Sequence, residues 1–326
     1  MTKMVNNFAG LNGCVWWMGV VENRIDPLKL GRCQIRIFGW HTDNKQLIPC
    51  EDLPWVAPIL SGNTTQTHKT PREGDYVVGL FMDSESGQFP FYFGVIPGIP
   101  VTGPIQGAGF SDPRTPEQLA KAPVPFGGTA SLYPNLLNEP TTSRLYRNEK
   151  IQETIIARED ADLTTNVNTA DGSSWSQPKS AYAAVQPYNQ VTETESGHVF
   201  EMDDTKGAER IHLAHRMGTF TEIHPDGSKV TKIVADNYEI VAGTNFVSIS
   251  GNCNLTVNGN VTLNTTGKVI AKASEFDLTG NLNVAGDVTV TGSINATGDV
   301  VGSGISLDNH IHTGVKVGTD TTGKPR

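Results

Sequence analysis

No stretch of this chain is apolar for anything near the ~20 residues that a membrane-crossing helix needs, and the opening MTKMVNNFAG lacks the apolar core of a signal peptide. The expectation is a chain made and kept in the cytoplasm unless another structure carries it out. A basic excess is missing too. Lys and Arg number 25 against 34 Asp and Glu, a net charge of −9, so bulk electrostatics would not hold nucleic acid or an anionic membrane. Cysteine is scarce: Cys14, Cys33, Cys50 and Cys253 fit no zinc ribbon, redox pair or dense disulfide framework. They read as small buried thiols in a reducing compartment. Large side chains disappear from the last third, where Phe276 is the only aromatic after Phe246, and 6 of the 64 residues from 241 to 304 are charged. Whatever core that region has must be narrow.

What is present falls into zones, and together they predict an all-β protein. Residues 1–104 hold short runs of β-branched and aromatic residues, CVWWMGVV, GRCQIRIFGWH, LPWVAPIL, DYVVGLFM and FPFYFGVI, separated by turn-prone stretches. Five such strands in about a hundred residues fit an OB-fold barrel. Trp16, Trp17, Trp40 and Trp55 could form a nucleic-acid stacking platform, but no basic residues concentrate around them, so core and interface packing is the expected role. Residues 105–188 are rich in Pro and Gly and read as an extended linker, draped over another surface such as a neighbouring chain. RLYRNEKIQETIIARED (144–160) is the exception, a predicted short helix whose Glu149, Glu153, Glu159 and Asp160 would form a solvated face rather than an acid–base pair.

Alternating strands follow over 189–240. From 241 to 305 glycines fall at 243, 251, 259 and 267, a period of eight, and then at 280, 286, 292 and 298, a period of six. In the six-residue units apolar residues sit two and four places after each glycine, as in Leu282/Val284 and Val288/Val290. Each unit is one short strand, apolar on one side, turning at glycine. Four such units make too few coils for a single chain to close its own solenoid. Three chains about one axis remove the difficulty, each supplying one face of an intertwined triple-stranded β-helix. At its end, within 306–326, His310 and His312 stand one residue apart in NHIH, on the same side of an extended chain. Three copies would bring six imidazoles together, an octahedral set suiting Fe, Ni or Cu better than tetrahedral Zn. The expectation is one transition-metal ion per trimer.

Several strings carry a family resemblance. VWWMGVVENRIDPLKLGR and LPW (within 15–58), GFSDP (109–113) and TESGHVFEMDDTKGAERI (194–211) resemble the central spike proteins of T-even-like contractile-tailed phages, and the last is also similar to the spike part of VgrG proteins of type VI secretion. The resemblance implies a homotrimeric baseplate spike that docks on the hub protein beneath the tail tube, borders wedge or sheath-associated proteins, and pierces the host outer membrane as the sheath contracts. Its place would be the virion tail baseplate, assembled in the host cytoplasm. The terminal NHIHTGVKVGTDTTGKP is similar to the iron-bearing apex of simpler contractile phages, which implies iron at His310 and His312. The family's lysozyme domain would fall where the linker lies, so no enzyme activity is expected. The competing readings are a type VI or related secretion spike and a lysozyme-like cell-wall hydrolase.

Overall fold

The computed structural model describes residues 13–60, 69–123, 137–161, 167–311, 313–314 and 318. The chain divides into two units, Met1–Gly259 and Asn260–Arg326. The first contains both of the molecule's apolar cores.

Strands β1 (Val15–Asn23), β2 (Cys33–Ile37), β3 (Trp55–Pro58), β4 (Tyr76–Phe81) and β5 (Pro90–Ile96) form a closed barrel in the order β1-β2-β3-β5-β4. The β3–β5 contact is parallel and the other neighbours are antiparallel, the connectivity of an OB-fold. Strand alternation turns Trp17, Val21, Ile35, Ile37, Val77, Phe81 and Tyr92 inward as the first core, while Trp16 and Met18 face out. Gly79 is required in β4, because a Cβ there would lie 2.2 Å from the indole of Trp17 and from the Phe91 carbonyl oxygen.

Beyond the barrel the connecting segment is more structured than its prolines suggest. Helix α1 (Pro116–Lys121) starts with proline in its first turn and a reciprocal capping box between Thr115 and Gln118. The helix expected over 144–160 is broken. α2 (Arg144–Arg147) ends at Asn148 in the left-handed conformation, Lys150 is also left-handed, and α3 (Ile155–Ala161) begins only after a short 3₁₀ turn. Asn tolerates that conformation and ends the helix there. A small hairpin, β6 (Val167–Asn168) with β7 (Ser174–Trp175), follows.

The second core lies under an antiparallel meander of β8 (Asn189–Glu193), β9 (Val199–Asp203), β10 (Arg210–Ala214), β11 (Phe220–Ile223) and β12 (Lys229–Lys232). Leu145, Ile155 and Ile156 of the connecting segment pack there against Val199, Ala214 and Phe220. Residues 144–160 are therefore a strap over the chain's own sheet, joined there by Tyr182.

From 235 to 300 the chain forms no strand, and among the described residues no main-chain hydrogen bond joins 235–299 to one another. In the second unit a tight hairpin joins β13 (Val301–Gly302) to β14 (Ile305–Ser306), with Ser303 and Gly304 both at positive φ.

Candidate functional site

Two faces of the meander divide the chemistry in an unexpected way. One register row crosses the sheet as Val191, Glu201, His212, Glu222 and Val230, and its three central residues are fully buried beneath the strap. The opposite face carries Phe200, Met202, Ile211, Leu213 and Ile223, all exposed in the single chain. The charged face is inside and the apolar face is outside.

The buried charges are closely matched. Arg210 binds Glu201 and, at 2.9 Å, Glu222, and its guanidinium stacks over the Tyr182 ring. Glu222 Oε1 faces the Ala181 amide at 2.8 Å and His224 Nε2 at 2.9 Å, while its Oε2 accepts from Ser180 Oγ at 2.8 Å. His212 Nε2 meets both oxygens of Glu159 at 2.9 and 3.1 Å. Its Nδ1 is buried without a protein partner, so the neutral ring with the proton on Nε2 avoids a stranded donor. Burial pushes the Glu159 and Glu201 carboxyls above their ordinary range, further than His212 and Arg210 respectively draw them back. Burial acts on Glu222 as well, but the Ala181 amide, Arg210 and Ser180 outweigh it and its carboxyl lies below the usual range.

Glu159 thus belongs to a buried clasp and not to a solvated face, which corrects the reading of the helix 144–160. Glu153 pairs with Arg144, Glu149 with Arg147, and Asp160 accepts from the Ser180 amide. Among the described residues, Glu159, His212 and Glu222 bring ligand-type atoms within 4.8 Å of one another. Both oxygens of Glu222 are already taken by four donors, one of them cationic, so the group is an ionic clasp rather than a metal cage. Periodicity showed that these strands alternate, but not which side faces the core.

The predicted metal residues lie at the other end of the chain. The β13–β14 hairpin is followed by a tight turn in which the Asn309 amide donates to Ser306 Oγ at 2.8 Å. His310 Nδ1 sits 2.9 Å from the Ser306 carbonyl oxygen. In that contact Nδ1 is the donor, the arrangement by which a ligating histidine is oriented through its second nitrogen. His310 is exposed in the single chain and its donor chemistry fits a transition-metal ligand. His312 lies outside the described residues.

The comparisons with known proteins bear on the C-terminal end and on the chain as a whole. Residues 304–326 match the GpV Apex motif. The chain is 40% identical over 271 residues to Protein Gp5 of Vibrio phage KVP40, covering 72% of this chain and 61% of that protein. It is 44% identical over 72 residues to the Pre-baseplate central spike protein Gp5 of Enterobacteria phage T4, covering 22% of this chain and 12% of that protein. The matched lengths are less than two thirds of either relative. An all-β chain with a five-stranded barrel and an apex motif is similar to phage spike proteins. Within that class, the chain is a homologue of the Gp5 proteins of T4-like phages.

Proposed function

We propose that this chain is the structural central spike of a contractile phage tail baseplate, working as a homotrimer that docks through its barrel and pierces the host outer membrane. One observation carries the reading. Among the described residues no main-chain hydrogen bond joins residues 235–299 to one another, and Ile240, Val261, Leu263, Leu282, Val288 and Ile294 are exposed by 69% or more. No isolated soluble chain leaves so continuous an apolar run in water. Three chains wound together satisfy the main-chain groups between neighbours and bury the apolar side chains on the axis.

His310 and His312 from three chains hold one iron ion at the apex, where it locks strand ends that would otherwise fray. The barrel seats on the hub protein beneath the tail tube, with wedge or sheath-associated proteins alongside. The work is mechanical and no hydrolytic step is assigned to the chain. The acids nearest a catalytic arrangement, Glu149, Glu153, Glu159 and Asp160, are all engaged in ion pairs or hydrogen bonds.

Sedimentation equilibrium combined with elemental analysis tests this reading. The expected species has three chains of 35.1 kDa with one iron, and His310→Ala with His312→Ala leaves a folded trimer without metal. A monomeric wild type would sink the proposal. Clearing of peptidoglycan-bearing cells by the purified protein would restore the hydrolase reading.

A further inference from the structure

The two apolar cores share no residue. Hydrogen bonds join Gly98 and Pro100, past the last barrel strand, to Thr141 and Asn138 ahead of the strap, and charges also cross from the barrel to the meander. Arg24, just after β1, donates through Nη2 to Glu195 Oε2 at 2.9 Å and through Nη1 to the other oxygen of the same carboxylate. Glu195 lies in the turn between β8 and β9. On its barrel side Arg24 Nε faces Glu73 Oε2 at 3.1 Å, and Glu73 faces Arg114 Nη1 at 3.4 Å. Arg114 is gripped in turn by both oxygens of Asp112, at 3.0 and 2.7 Å. Side-chain exposure along this chain is 19% for Arg24, 27% for Glu195, 7% for Glu73, 10% for Arg114 and 0% for Asp112.

Three of the strings that carry the family resemblance meet here. Arg24 belongs to GVVENRIDPLKLGR, Asp112 to GFSDP and Glu195 to TESGHV. None contributes to the apex or to the 235–300 run. We propose that Arg24 and Glu195 are positioning residues: their bidentate pair, braced by Glu73, Arg114 and Asp112, sets the angle between the barrel and the base of the spike.

A two-pronged guanidinium–carboxylate contact suits this task because it resists rotation as well as separation. Isolated exposed ion pairs contribute little, but this one is partly buried, bidentate and part of a network. That the angle matters for transmitting an axial load rests on the spike reading. That the pair sets the angle does not.

Hydrogen exchange on the full-length protein tests the pair. The reporters are the amides of Gly197 and Thr194, which close the β8–β9 turn onto Thr194 and His198 at 2.9 Å. In Glu195→Gln and in Arg24→Gln these amides are expected to exchange about tenfold faster, a coupling of ordinary size for charges in one network. Val20 and Val21 in the barrel keep their protection. Arg24→Gln combined with Glu195→Gln should open the turn no further than either single change, and Arg24→Lys should restore part of the protection. Strictly additive effects, or unchanged exchange in Glu195→Gln, would overturn the proposal. Should Arg24→Gln unfold the barrel, Glu195→Gln alone still decides the matter. These outcomes are read in purified protein and are independent of whether the chain is found in a baseplate.

Discussion

Single residues hold this fold where charge is buried. In the barrel Arg36 and Glu22 are both wholly inaccessible and bonded at 2.7 Å. Arg36 also donates to the carbonyls of Thr42 and Ile48, and Glu22 accepts from the Phe110 amide. Gly109 passes so close that a Cβ there would lie 2.6 Å from the Arg36 side chain, which accounts for the glycine of GFSDP. Arg36→Leu leaves Glu22 buried without its partner and should cost about 3–5 kcal/mol, measurable by urea unfolding followed through the fluorescence of core Trp17. In the clasp the pH dependence has two arms. Glu159 and Glu201 are raised above their ordinary 4.5, so their contribution is full below that value and is lost as pH rises through the folded pKa. Glu222 is lowered, so its contribution is present above that value and is lost as pH falls through the folded pKa. Thermal unfolding should therefore show the strap and sheet losing stability as pH rises through the raised pKa values of Glu159 and Glu201, and again as it falls through the lowered one of Glu222. His212, Arg210 and His224 face these carboxylates, and Glu159→Gln should flatten the neutral-side arm without moving the acid one.

At the scale of elements, the meander is built inside out relative to a free-standing sheet, and that determines which changes matter. Leu213 is 59% exposed in the single chain, where Leu213→Asp would be nearly neutral on an ordinary surface. On the trimer proposed here it should abolish assembly, giving monomers by light scattering with an unchanged barrel. The strands themselves were legible from alternation, and the barrel from five apolar runs with turns between them. The broken helix at 148–150 was harder to foresee, since RNEK has no proline or glycine to mark the stop and only the left-handed Asn148 and Lys150 create it. Helix α1 did carry a readable signal, the TPEQ capping box. The clasp could not be read from sequence, because Glu159 and His212 are 53 positions apart and nothing local to either predicts burial.

For the whole molecule, the repeat of glycines and valines is the feature on which the proposed trimer rests, because the single chain forms no strand there. The proposed apex rests on the same assembly: a His-x-His pair matters only if other copies bring theirs to it. The joint at Arg24 and Glu195 was invisible as a joint, although each residue sat in a string already singled out.

The unpaired run from 235 to 300 also governs inheritance of defects. In the proposed trimer each chain is one third of every layer, so a chain with a misplaced glycine cannot be sequestered in its own faulty copy. It must be wound together with two sound ones and spoils both. When wild-type and defective genes are expressed together, the intact fraction then falls as the cube of the wild-type share. A mutation in this region should behave as dominant, whereas one that only unfolds the barrel before assembly should be recessive.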